Sequence, residues 1–245
     1  MGMIKTVQSA WKVPDMRKKM IFTFLMLVIF CIGSNIPVPG IDRAVLNEVF
    51  AGGTGLLALF DLFSGGAFSN FTIFALSITP YVTASIILQL LTIAVPSLER
   101  LAKEGQEGKK KIAQYTRYLT VVLAFVQAIG LAVGLFRQAL IETDFFSITV
   151  IVLTLSAGTA FLMWLGEQIN ENGIGNGISL IIFSGIVTRI PSAIHENMIK
   201  FQDGEIGVVT LILFLIFALA VFIGIIEIQQ GQRRIPVQYA KRVVG

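Results

Sequence analysis

The chain has 245 residues, of which 55% are hydrophobic and only 14% are charged, and its formal net charge is +4. A soluble domain typically has about 25% charged residues, so this composition excludes an ordinary water-soluble protein and indicates a membrane protein. The basic residues stand in a few blocks between apolar runs, which is typical of cytoplasmic loops and argues against a nucleic-acid-binding surface.

Six apolar runs predict an all-α polytopic membrane protein with about six transmembrane helices, because about 20 apolar residues are needed to cross a bilayer. In chain order the predicted spans are residues 20–36, 71–91, 118–136, 148–169, 178–194 and 206–228. The predicted organisation is a segment 1–19, a block 20–194 with five spans, a sixth span at 206–228 and a basic segment 229–245.

A short apolar stretch within residues 56–67 lies before the second span. Its apolar part, residues 56–63, reaches only about 12 Å as a helix, whereas a bilayer core is about 30 Å thick. Gly65 and Gly66 are expected to end this half-helix, because glycine adopts the left-handed turn that terminates a helix. Two interpretations stay open from the residues alone: a re-entrant plug buried in a channel, or an amphipathic helix on the outer surface.

Polar residues in the second and third predicted spans indicate that these helices do not face only lipid. Pro80 removes a backbone hydrogen bond and is expected to kink the second span. Gln89 in the second span and Gln127 in the third are costly in hydrocarbon unless they have partners, so one face of each helix should meet protein or water. Ordinary polar contact between helices explains the same pattern and stays open.

The distribution of basic residues predicts the orientation of the chain. Of the 19 Lys and Arg residues, 15 fall in the N-terminal segment, the loop after the second span and the C-terminal segment, which all lie on one side of the predicted map. The opposite side has only Arg43, Arg137, Arg189 and Lys200. The positive-inside rule therefore places both termini in the cytoplasm.

No pattern in the sequence indicates an enzyme, a metal or a cofactor. Cys31 and His195 are the single cysteine and histidine, so neither has a second soft ligand for a metal. Gly173, Gly175 and Gly177 follow no predicted strand, so they do not form a nucleotide-binding loop. The rival class is a six-span transporter or ion channel for small solutes, but such proteins usually need ionisable groups inside their spans, and here these occur only near span ends.

Several long motifs resemble the bacterial SecY family, in order and over essentially the whole chain. They are IPVPG at 36–40, FSGGA at 63–67, ITPYVTASIILQLL at 78–91, FLMWLGEQI at 161–169, GIGNGIS at 173–179 and GQRRIPVQYAKR at 231–242. The resemblance implies a channel of ten spans in two inverted halves, arranged like a clamshell. It also implies translocation of secretory proteins across the cell inner (cytoplasmic) membrane and insertion of membrane proteins into it, with this chain as the N-terminal half.

The resemblance implies a role for particular residues, each placed by its position in a matching motif. The implied pore ring is Ile78, Val82, Ile178 and Ile182. The implied plug is Phe60, Asp61, Leu62, Phe63, Ser64, Gly65, Gly66 and Ala67. The implied lateral-gate candidates are Thr83, Gln89 and Gln127. The implied contact for ribosome or SecA is Arg233, Arg234, Lys241 and Arg242.

The partners that the resemblance implies are the SecE and SecG subunits, the SecA ATPase, the ribosome, signal sequences and preproteins, within a lipid bilayer. Spans seven to ten of the family's pattern have no counterpart here. We therefore expect a fragment, or one part of a chain whose C-terminal half is a further partner.

Overall fold

The computed structural model describes residues 13–42, 44–46, 60–62, 64–204 and 207–232. The chain divides into two compact units, Met1–Ile190 and Pro191–Gly245. The described residues are helical apart from turns and two isolated bridges, which join Pro37 to Thr72 and Ile41 to Leu140. The predicted all-α class is confirmed.

Seven α-helices lie wholly within these ranges, and residues 44–46, 60–62 and 64 are also helical. The seven are α1 (Pro14–Gly33), α2 (Thr79–Ala94), α3 (Pro96–Lys103), α4 (Gln106–Ile129), α5 (Phe145–Asn172), α6 (Gly177–Gln202) and α7 (Val208–Gln230). α4 continues into a π-helical segment, Gly130–Leu135, and a 3₁₀ turn, Arg137–Ala139. Several helices extend beyond the predicted spans, because hydropathy marks the lipid-facing stretch whereas a helix also continues into polar sequence.

Fewer helices in the described residues qualify as spans than the sequence predicted. Four are long and apolar enough to cross a bilayer, and the pair α2 and α3, bent by 100° at its break, makes a fifth if it counts as one span. The first predicted span falls outside this count, because the first turns of α1 carry Asp15, Arg17, Lys18 and Lys19. Its apolar remainder is about 21 Å long, which is short of the roughly 30 Å of a bilayer core.

The second predicted span, 71–91, is wrong at its start. Residues 71–78 form successive turns, and Phe71 and Ser77 have positive φ angles of 43° and 53°. α2 begins only at Thr79, so Pro80 lies in its first turn, where a missing N–H leaves no hydrogen bond unmade. Pro80 therefore starts the helix instead of kinking it, and the predicted kink is corrected.

The core of the unit Met1–Ile190 surrounds the turn segment 71–78. Phe71 meets Phe136 edge to face with ring centroids 4.6 Å apart, in a cluster that includes Leu155 of α5. On the other side, Phe74 stacks on Phe30 of α1 in a second cluster. The segment thus packs against α1, α4 and α5, and this packing fixes the position at which α2 begins.

Candidate functional site

The four residues predicted to form a ring come together in one apolar cluster. Ile78 is the residue before α2, and Val82 follows it by one turn. Ile178 and Ile182 occupy the first turns of α6. In both pairs the i, i+4 spacing places the side chains on the same helix face. Ile78 is 2% exposed, whereas the other three are partly buried against the same cluster.

The start of α6 is fixed by asparagine and glycine. The side-chain oxygen of Asn176 accepts hydrogen bonds from the backbone N–H groups of Ile178 and Ser179, at 3.1 and 3.3 Å. Asparagine is a favoured residue at this position, because it satisfies donors that the first helical turn leaves unpaired. A Cβ on Gly177 would lie 2.1 Å from the carbonyl oxygen of Gly166, so only glycine lets α6 start this close to α5.

Ala67, at the end of the predicted plug, is fully buried in the same cluster as Ile78. Before it, the described part of the short helix ends at Gly65 and Gly66, whose φ angles are 66° and 91°. The prediction that these glycines end the helix is confirmed. Ser64 braces the turn, since its hydroxyl donates to the carbonyl of Asp61 at 3.0 Å and accepts from the N–H of Phe68 at 3.0 Å. Phe63 lies outside the described residues.

An ion pair that the sequence reasoning missed joins this segment to α6. Asp61 is 4% exposed, and its carboxylate accepts a hydrogen bond from the Arg189 guanidinium. Arg189 also donates to the Ser69 hydroxyl at 3.0 Å. The sequence did contain an indication of this ion pair, because Arg189 lies within an apolar run and a charged residue inside a membrane protein is expected to be paired.

Backbone contact accompanies the ion pair. A Cβ on Gly65 would lie 2.8 Å from the Cα of Gly185 in α6, and a Cβ on Gly66 would lie 3.0 Å from the Arg189 guanidinium. Residues 60–62 and 64–70, called segment 60–70 below, therefore rest directly on α6, with two glycines at the closest approach.

The three lateral-gate candidates each make a different contact. Thr83 donates its hydroxyl to the Thr79 carbonyl at 3.0 Å, one turn back in α2. Gln89 is exposed and donates to the Ser85 hydroxyl at 3.3 Å. Gln127 instead lines a cavity of about 420 Å³. The other lining residues are Phe60, Phe68, Ala75, Leu76, Ser77, Thr79, Gly130 and Leu131.

The predicted contact residues Arg233, Arg234, Lys241 and Arg242 lie outside the described residues. In the ranges that are described, no group of three His, Cys, Asp or Glu side chains is placed to hold a metal ion.

The fold and this arrangement define a polytopic helical membrane protein with a short re-entrant segment seated beside its apolar cluster. The SecY family model matches residues 72–245. The chain therefore belongs to the SecY family.

Relatives agree with this assignment over nearly the whole chain. The chain is 49% identical to the protein translocase subunit SecY of Halalkalibacterium halodurans, over 99% of this chain and 58% of the relative. It is 46% identical to that of Escherichia coli K12, over 94% of this chain and 54% of the relative. The chain thus spans about half the length of these relatives.

Two solved structures resemble the fold. Sec61 in a canine ribosome-channel complex from the endoplasmic reticulum aligns with a TM-score of 0.64 at 21% identity, over 90% of this chain and 49% of that one. A SecY structure aligns with a TM-score of 0.51 at 25% identity, over 71% of this chain and 36% of that one. In that SecY protein the plug domain stabilises the closed state of the translocation channel and maintains a membrane seal.

Proposed function

We propose that this chain is the N-terminal half of a protein-conducting channel that translocates secretory proteins across the cytoplasmic membrane and inserts membrane proteins into it. The observation that carries the proposal is the convergence of Ile78, Val82, Ile178 and Ile182 in one apolar cluster, with Ala67 of the re-entrant segment beside them. The proposed activity is transport, without catalytic chemistry of its own.

Aliphatic side chains suit a seal around a moving polypeptide. They make no hydrogen bond to ions or water, so a narrow ring of them stays dewetted and blocks ions. They also fit around any sequence without binding it specifically. In the proposed closed state, segment 60–67 covers this ring from the non-cytoplasmic side, and Ala67 supplies the contact. The second half of the ring belongs to the other half of the channel.

The proposed domain organisation follows the positive-inside rule. Residues 1–19 and 229–245 are cytoplasmic, 20–194 is the half-channel, and 206–228 begins the second half. The boundary between the compact units, after Ile190, lies close to the proposed one. Both termini of this segment are cytoplasmic.

The proposed partners are SecE, SecG, the SecA ATPase, the ribosome, signal sequences, preproteins and the C-terminal half of the channel. Arg233, Arg234, Lys241 and Arg242 would offer a basic surface to ribosomal RNA or to acidic residues of SecA. The Sec61 structure that this fold resembles comes from a canine ribosome-channel complex, which supports the ribosome as a partner. Thr83, Gln89 and Gln127 remain the proposed residues of one lateral-gate wall.

Deletion of residues 60–67 from the complete channel tests this function. In planar bilayers the unmodified channel is expected to be silent at rest, whereas the deletion should raise the resting ion conductance roughly tenfold or more, because it uncovers the ring. A tenfold change corresponds to about 1.4 kcal/mol of lost closed-state preference. Removal of Asp203 and Gly204, in the exposed turn after α6, is the matched control and should change nothing. A deletion channel as silent as the control would contradict the proposal, and coupled transport of a small solute would favour the transporter class.

A further inference from the structure

We propose that Asp61, Arg189 and Ser69 form a latch that holds segment 60–70 on α6 and sets how readily the channel opens. The inference rests on the proposed channel function, and it assigns to one ion pair the task of keeping the re-entrant segment in place.

Arg189 donates hydrogen bonds to the segment at two points, one on each side of the turn at Gly65 and Gly66. Its guanidinium donates to the carboxylate of Asp61, before the turn, and to the hydroxyl of Ser69, after it. The other carboxylate oxygen of Asp61 accepts the backbone N–H of Ser69 at 2.7 Å. The three residues thus close a network in which one side chain of α6 holds both ends of the turn.

The burial of Asp61 makes this network costly to break. Its side chain is 6% exposed, whereas that of Arg189 is 34% exposed. A buried carboxylate without its cation is strongly unfavourable, because the lost solvation is not replaced. Segment 60–70 can therefore leave α6 only if Asp61 reaches water as it leaves, and the arginine, already partly exposed, stays behind on α6. The pair is released in one step and can form again when the segment returns.

At the turn of Gly65 and Gly66 the ion pair, and not side-chain packing, forms the attachment to α6, whereas Phe68 further along the segment packs against Phe136. Gly65 touches Gly185 backbone to backbone, and Gly66 lies under the Arg189 guanidinium. Glycines contribute no side chain to bury, so this contact contributes little apolar area that would hold the segment. The polar network is the specific attachment between the turn and α6.

The latch is distinguished from a merely structural ion pair by what changes when it is lost. A structural pair lowers the amount or thermal stability of the assembled channel. A latch leaves assembly in place and frees segment 60–70. Two readouts separate these roles in the complete channel: resting ion conductance, and the rate at which an impermeant maleimide labels Ala67→Cys from the non-cytoplasmic side. Ala67 is fully buried when the segment is seated, and Cys31→Ser removes the single native thiol of this chain.

The variants are Asp61→Asn, Arg189→Gln, the two together, and the milder Arg189→Lys, which keeps the charge but loses the two-point grip. Hydrogen bonds to charged groups support an effect of roughly ten- to a hundredfold on labelling rate and on resting conductance for each neutral variant. The increase in labelling rate and conductance in the double variant should be no larger than in the more affected single variant, because both substitutions remove the same interaction. The labelling rate and conductance of Arg189→Lys should lie between those of the unmodified channel and those of Arg189→Gln. Arg137→Gln, an exposed basic residue predicted on the same side, should have no effect.

Unchanged labelling and conductance in normally assembled Asp61→Asn and Arg189→Lys channels would overturn the latch. Reduced assembly with unchanged labelling of the channels that remain would overturn it too, because the pair would then be structural. Faster labelling supports the latch even if none of these variants raises the resting conductance. If deletion of residues 60–67 does not raise the conductance either, the absence of conductance contradicts the channel function and not the latch.

Discussion

Ile78→Ser combined with Ile182→Ser makes the complete channel leak ions at rest once it has assembled in the membrane, although loss of the buried Ile78 side chain also lowers the amount assembled. The two hydroxyl groups bind water at a constriction that aliphatic side chains keep dry, so the barrier to ions falls. We expect the largest conductance change of any double substitution in this chain, at least comparable with deletion of residues 60–67. The measurement is resting conductance in planar bilayers, normalised to the amount of inserted channel.

Ile181→Ser is the matched control, because Ile181 is adjacent to Ile182 on α6 but is fully buried in the core. A buried large-to-small change costs about 2–5 kcal/mol of stability. We therefore expect less assembled protein from Ile181→Ser, without added conductance. If the Ile78 and Ile182 double variant inserts normally and conducts no more than the unmodified channel, these residues are not a pore ring.

Gly158→Ala should be the most damaging single methyl addition to the core around the site. The new Cβ would lie 1.9 Å from the carbonyl oxygen of Ile73, and backbone on both sides prevents relief by a change of rotamer. α5 must then move away from the turn segment 71–78, and Ile78, the last residue of that segment, loses its position in the ring. Overpacking costs about 1–3 kcal/mol and sometimes more. We expect a loss of at least this size, measured as a lower unfolding temperature of the purified channel.

Gly224→Ala is the control for this change. Gly224 lies within α7, and a Cβ there meets nothing within 4 Å. Alanine favours a helix by about 1 kcal/mol over glycine, so this variant should be neutral or slightly more stable. Equal unfolding temperatures for the Gly158 and Gly224 variants would show that α5 and the turn segment tolerate separation, and that the site is not held by this contact.

Hydropathy predicted the helical class and most of the spans, because lipid-facing residues must be apolar along the whole crossing. It did not predict the turns at 71–78, which are as apolar as a helix but are buried against α1, α4 and α5. Phe71 and Ser77 adopt positive φ angles there, which no local sequence pattern announces for residues other than glycine. The error in the second span and the wrong role for Pro80 have this single origin.

The candidate site was predictable where a local sequence pattern marks it and not where it depends on tertiary packing. The resemblance to SecY motifs implied a ring of Ile78, Val82, Ile178 and Ile182, but the meeting of the two pairs depends on tertiary packing. Gly65 and Gly66 carried their own local signal and ended the helix as predicted. The pairing of Asp61 with Arg189 was missed, because the two are 128 positions apart and only the fold brings them together.

The most direct test of the central claim asks whether a polypeptide in transit touches the predicted ring. A photo-crosslinking amino acid is placed singly at Ile78, Val82, Ile178 or Ile182 in the complete channel, and a preprotein is stalled halfway across the membrane. A probe at Leu153, which is 55% exposed on α5, is the control. We expect adducts with the stalled preprotein at all four ring positions and none at Leu153. Adducts at Leu153 with none at the ring positions, while the preprotein spans the membrane, would contradict the central claim.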